Sequence, residues 1–110
     1  MNGYERFQNR LRGQSVDRVP NFDIFMQFAA HFIGKPLRDY YLDHRVLADA
    51  NLAVIEAFEV DIAQAISDPY REAYDLGLQV QFPPDGLPLA TPLLQTPDDL
   101  RKLKLIKPED

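Results

Sequence analysis

An α/β fold is predicted for this chain by three observations. Strand-forming and helix-forming segments alternate, residues 21–25 and 60–66 flank the strongest helix pattern, and the second of these runs is apolar enough to be covered on both faces. Strand, helix, strand is the order that builds a parallel sheet. The chain has 110 residues, 45% of them apolar and 26% charged, which is material for the core of one domain rather than a disordered tail or a fibrous repeat.

Tyr4, Phe7 and Leu11 recur at helical spacing among Glu5, Arg6, Gln8, Asn9, Arg10 and Arg12, so residues 3–12 read as an amphipathic helix closed by Gly13. Its basic residues Arg6, Arg10 and Arg12 read as a solvated side or as partners for acidic groups elsewhere. Asp17-Arg18-Val19-Pro20 turns the chain into Asn21-Phe22-Asp23-Ile24-Phe25, the predicted first strand. Residues 26–33 are apolar on all sides and contain Ala29-Ala30, which predicts a short buried helix stopped by Gly34. A turn through residues 37–41 leads to Asp43, placed to cap a longer helix whose face is Leu47, Ala50, Val54 and Phe58. Residues 60–66 are the predicted second strand. After Ser67-Asp68-Pro69 come a short helix over 70–76 stopped by Gly77, an extended segment over 78–82, and a break at Pro83-Pro84-Asp85-Gly86. Thr96, Pro97 and Asp99 form a capping-box signature for a last helix. Its apolar side, Leu100 and Leu103, meets no later element before Lys107-Pro108-Glu109-Asp110, so the chain is expected to hold only the opening of a larger architecture.

Twelve Lys and Arg against seventeen Asp and Glu give a net charge of −5, the wrong sign for a chain that neutralises nucleic-acid phosphates. The absence of cysteine removes thiolate metal sites, disulfides and cysteine nucleophiles from this chain. Glu56, Asp61 and Gln64 break the apolar runs far below the ~20 residues of a bilayer span. No apolar run follows Met1, so the expected location is the cytoplasm and no membrane partner is expected.

Tyr4-Glu5-Arg6 through Leu11-Arg12-Gly13, then Asp17-Arg18-Val19-Pro20, resemble the opening of the uroporphyrinogen decarboxylase superfamily, which includes the corrinoid-dependent methyltransferases. Ile66-Ser67-Asp68, Leu76-Gly77, Phe82-Pro83, Gly86, Pro92-Leu93 and Asp99-Leu100 follow in that family's order, so the likeness covers essentially the whole chain and about the first third of a typical member. The resemblance implies a (β/α)8 TIM barrel, incomplete in this chain, with residues 1–110 as an N-terminal fragment that is inactive alone and prone to oligomerise. Barrel active sites lie at the carboxyl ends of the strands. Asp68, after an apolar run and before Pro69, is placed there, and the resemblance implies the catalytic aspartate that stabilises charge on the substrate. The competing reading of Asp68 is a turn residue that caps the helix after it.

Porphyrinogen decarboxylases resembling this opening carry paired arginines in a Met-Arg-Gln-Ala-Gly-Arg type of motif. The matching stretch here is Met26-Gln27-Phe28-Ala29-Ala30-His31, with Gln27 and His31 at the arginine positions. Glutamine supplies no fixed charge for a polyanionic substrate. Gln27, His31 and Phe28 are therefore the expected substrate-binding residues of a less charged pocket, and the resemblance leans to the methyltransferase branch. That branch implies a small-molecule thiol, a corrinoid protein as partner and a zinc ion, none of whose thiolate ligands is present here. Phe22, Phe25 and Phe32 read as core, His44 as structural, and Tyr40 and Tyr41 as rings sealing a helix end. A self-standing α/β interaction module, with the proline-rich segment covering the sheet, is the competing class.

Overall fold

The structure, a computed structural model, describes residues 1–107, so the end of the chain from Pro108 lies outside the described residues. Asn2 opens α1 (Gly3–Leu11) by a reciprocal cap: its side chain accepts from the Glu5 N–H at 2.9 Å, and the Glu5 carboxylate accepts from the Asn2 N–H at 3.0 Å. Gly13, at φ +70°, takes the left-handed conformation that ends the helix.

The inner side of α1 carries a charge. Arg6 is buried and donates to Asp17 at 2.7 and 2.8 Å, to the Met1 carbonyl at 2.8 Å and to Asp61. Asp61 also accepts from Arg18 at 2.6 Å and from the Asn21 N–H at 2.7 Å. With four donors around it, the Asp61 carboxyl is held below its ordinary pKa, first by the Asn21 N–H and then by the two guanidinium groups. The Arg6 to Asp61 pair thus ties the first helix to a residue fifty-five positions away. Arg10 and Arg12 remain exposed.

The core lies among α2 (Met26–Phe32), α3 (Leu37–Leu42) and α4 (His44–Ala57). Ala29 and Ala30 from α2, Leu37 and Tyr40 from α3, and Ala50 and Val54 from α4 are fully buried; the alanines let the helices approach closely. The expected turn at residues 37–41 is a helix, because Pro36 holds an extended N-cap and Leu37 and Tyr40, three apart, both reach the core. Asp43 caps α4 as expected, accepting from the Arg45 N–H at 2.9 Å. Asn51 is buried on α4 and donates to Tyr40 Oη at 3.1 Å and to the Leu47 carbonyl at 2.9 Å. The 26–33 helix is buried on one side only: Phe28 and Phe32 stay 53% and 45% exposed, stack on each other at 5.9 Å, and meet Phe58 with tilted rings at 5.9 and 5.6 Å.

The two predicted parallel strands do not form. Residues 21–25 and 60–66 lie side by side without a ladder, joined by the Asp61 N–H to the Asn21 carbonyl at 2.8 Å and by the Gln64 amide to the Phe22 carbonyl at 2.9 Å. Strand propensity reflects packing on a pleated, half-buried surface, and here Phe22 and Ile24 are more than half exposed. The regular sheet among the described residues is instead an antiparallel ribbon of β1 (Val80–Gln81) and β2 (Leu89–Ala90), pairing Val80 with Ala90 and Gln81 with Leu89. A closed barrel is therefore not displayed by these residues, which are mostly helical. The 78–82 segment supplies β1, α5 (Arg71–Asp75) precedes it, and Gly77 at φ +110° separates the two. The Thr96 and Asp99 capping box is present, on a 3-10 helix at Pro97–Lys102. The Cα radius of gyration is 18.1 Å, well above the ~13 Å of a compact domain of similar length. The proline-rich segment therefore does not seal the molecule into a globule.

Candidate functional site

Ser67-Asp68-Pro69-Tyr70 forms one wall of a hollow of about 390 Å3. Met26 at the start of α2, Tyr41 from α3, Ile66, and the Leu87-Pro88 pair complete it. Asp68 is half-buried, and its Oδ1 accepts the Tyr70 N–H at 2.8 Å. The turn-capping geometry and the placement at a hollow are therefore both real: one oxygen is partly engaged by the backbone, and the carboxylate keeps further acceptor capacity.

The core positions this segment. Tyr40, buried between the helices, donates its hydroxyl to the Ile66 carbonyl at 3.0 Å and accepts from Asn51, which fixes the backbone just before Ser67. Burial raises the Tyr40 pKa, and the Asn51 bond opposes that shift. The neighbouring Tyr41 faces the opposite situation: its hydroxyl oxygen is buried without a protein partner, as is Ser67 Oγ. Burial raises the Tyr41 pKa, with the Asp68 charge and then Tyr40 adding to it, so the phenol stays protonated near neutrality. Met26 has φ +37°, a conformation that costs a non-glycine residue on the order of 1–3 kcal/mol.

The other expected site residues lie apart from Asp68. Phe28 lines a separate hollow of about 340 Å3 with Phe25, Val54 and Phe58. His31 is half-exposed at a third, of about 410 Å3, where its Nε2 lies 2.9 Å from Asp85 Oδ1. Gln27 is exposed and lines none of the three. Asp85 also accepts from the Leu37 N–H at 3.2 Å, and its carboxyl is held below the ordinary value first by His31 and then by that N–H. Beside it the Arg38 side chain donates to the Phe82 carbonyl at 2.7 Å and the Arg38 N–H to the Pro84 carbonyl at 3.1 Å. The sequence reading did not anticipate this clamp. The Pro83-Pro84-Asp85-Gly86 break signalled a turn, and nothing in it signalled a partner fifty-four residues away.

No group of three or more His, Cys, Asp or Glu side chains among the described residues converges to hold a metal ion. No helix among them is long and apolar enough to cross a membrane.

Asp68 thus follows an apolar run and lies on the wall of a hollow that four separate segments share, around residues 26, 41, 66–70 and 87–88. The chain matches the family described as Uroporphyrinogen decarboxylase (URO-D) over residues 2–110, and it belongs to that family, whose members are TIM barrels. Comparison with curated proteins and with solved structures returned no match.

Proposed function

We propose that this chain is the N-terminal part of a uroporphyrinogen decarboxylase-like enzyme that transfers a methyl group from a corrinoid to a thiol, with Asp68 in its active site. One observation carries the reading. The Asp68 hollow is walled largely by apolar and aromatic side chains, among them Met26, Tyr41, Ile66, Tyr70, Leu87 and Pro88, and neither lysine nor arginine lines it. A porphyrinogen bearing several carboxylates would meet uncompensated negative charge there. Gln27, at the position of a decarboxylase arginine, supplies no fixed charge either, although it and His31 lie apart from this hollow. Porphyrinogen decarboxylation is the second reading, favoured by the family description itself.

Within this chain Asp68 acts as a fixed acceptor: the Tyr70 N–H holds it, and the Tyr40 bond to the Ile66 carbonyl sets the depth of the segment that carries it. The donors present do not suit zinc, since no thiolate and no converging trio exists among the described residues, so no step here runs through a metal. In this reading any zinc ligands, and most of the contact with a corrinoid protein, belong to the rest of the parent enzyme, which is cytoplasmic and a homo-oligomer.

Asp68→Asn in the longest form of the parent enzyme tests the assignment. Methyl transfer from free methylcobalamin to 2-mercaptoethanesulfonate should fall by about a hundredfold or more, the scale of losing a group that acts in the transition state. Unchanged turnover would leave Asp68 as a turn cap. Decarboxylation of uroporphyrinogen without methyl transfer would select the second reading.

A further inference from the structure

Phe28, expected from the sequence to meet a substrate, lies in a hollow of about 340 Å3 that shares no lining residue with the Asp68 hollow. Its apolar wall is built from Ile24, Phe25, Phe28, Val54, Phe58 and Val60. Phe28 and Phe58 meet at 5.9 Å, and both rings stay about half-exposed, although phenylalanine is among the residues most often buried. Exposed aromatic surface at the edge of a concave site is the kind of surface that takes a ligand.

The same wall carries one formal charge. Asp23 is exposed, and among the described residues its carboxylate has no hydrogen bond or ion pair. Asn21, the other polar residue of the wall, is already engaged: its amide oxygen accepts the Asp23 N–H at 3.2 Å, and its amide nitrogen donates to the Glu59 carbonyl at 3.4 Å. No lysine, arginine or histidine lines the hollow. Arg18, the closest arginine along the chain, is turned to other acids: it donates to both oxygens of Asp61, at 2.6 and 3.2 Å, and lies 4.0 Å from Glu59.

We infer that this hollow binds a small organic cation, a quaternary or alkyl ammonium with an apolar body, its charge set between the Asp23 carboxylate and the Phe28 and Phe58 rings. Aromatic rings attract a cation held within ~6 Å of their centroids, and the apolar wall takes the body of the same molecule. An anion would meet Asp23 with no cation on the wall to offset it. A neutral molecule would use the apolar wall and leave Asp23 unpaired. The net charge of −5 favours the approach of a cation as well. The volume of about 340 Å3 suits a small ligand.

Benzyltrimethylammonium is the probe, titrated into the 15N-labelled full chain beside benzyl alcohol and benzoate. It should give saturable shifts confined to residues 21–25, 28, 54 and 58–60, and should bind about tenfold more tightly than benzyl alcohol, with benzoate weaker still. Added salt should weaken the cation and leave benzyl alcohol unchanged. Asp23→Asn should weaken the cation about threefold without affecting benzyl alcohol, and Phe58→Leu, which keeps an apolar side chain, should weaken the cation about threefold and benzyl alcohol less. A cation that does not saturate, that binds no better than benzyl alcohol, or that ignores both substitutions overturns the inference. So do shifts of the same segments that follow protein concentration and resist the probe, because the occupant would then be a second copy of the chain. If one variant loses the wild-type spectrum, the other decides; if both do, the preference among the three probes in the unmodified chain decides. The outcome is separate from the assignment of Asp68, which is read from turnover and rests on the other hollow.

Discussion

Helices α2, α3 and α4 share a core in which Ala29, Ala30, Leu37, Tyr40, Ala50 and Val54 are fully buried, whereas between Ser67 and Lys107 the buried apolar residues are Leu78 and Pro88. The second region is attached largely by directed bonds: Arg38 to Phe82, Asp85 to His31 and Leu37, Tyr40 to Ile66, with Phe82 ringed by Tyr41 and Tyr74 at 6.4 Å. Packing energy scales with apolar area removed from water, while a hydrogen bond contributes little net but is costly to break when buried. The helical region should therefore supply most of the stability, and the second region should open first. The Asp68 hollow lies at the seam between them, where a ligand could bridge a rigid wall and a more mobile one.

The largest expected effect tests the rigid side. Leu37 is fully buried against α2 and α4, so Leu37→Ala should destabilise by about 2–5 kcal/mol, read as a lowered urea midpoint with an unchanged slope. Leu78→Ala, in the second region, should cost clearly less. Equal losses would mean that the two regions share one core.

Tyr40→Phe probes the seam itself. It removes a hydroxyl that satisfies the Ile66 carbonyl and an Asn51 amide proton, so a loss of about 1–3 kcal/mol is expected from the partners left unpaired. Amide exchange should accelerate at residues 67–70 more than within α4. Uniform acceleration would show that the seam is no weaker than the helices.

How much of this was legible in the sequence follows from the range of each interaction. Asp43 as a cap, the Thr96 and Asp99 box, and the helix α1 are decided within a turn of helix and all are present, but the apolar side expected of α1 is not its buried side: Tyr4 and Leu11 are exposed and Arg6 is buried, because its partners Asp17 and Asp61 lie beyond the helix. The helix α3 was missed because the Leu37 and Tyr40 pair looks like a turn until α4 is there to bury it. Residues 21–25 and 60–66 have strand-forming composition, yet composition records only what a segment would do if covered. The Arg6 to Asp61 and His31 to Asp85 contacts span more than fifty positions and leave no periodic trace. Of the candidate site, the position of Asp68 beside a hollow was readable from Ser67-Asp68-Pro69, whereas the separation of Gln27, Phe28 and His31 from it was not, because it depends on how α2 turns after the strained Met26.

Acid should loosen the seam by a smaller amount. The Asp85 carboxyl is held below its ordinary value of 3.8, so its contribution is complete above that pH and is lost as the pH falls through the lower folded value. Asp61 and Asp99 shift in the same direction, so acid acts on both regions and a substitution is needed to isolate the seam. Between about pH 5 and about pH 2, protection of residues 82–87 should fall in the wild type, while Asp85→Asn should start lower and change less. Identical profiles would assign the acid response to the other lowered carboxyls, Asp61 and Asp99, instead.

The smallest expected effect is at Leu105, which is 93% exposed. Nearby, the Lys104 N–H donates to the Leu76 carbonyl at 2.8 Å, so the backbone is anchored where the leucine side chain is not. Leu105→Ser should therefore change stability by less than about 0.5 kcal/mol, with the direction set by the unfolded state. A loss above about 1 kcal/mol in the same urea titration would mean that Leu105 is covered in solution, as oligomerisation through the second region would require, and the contrast between a packed helical region and an appended one would then hold only for the isolated chain.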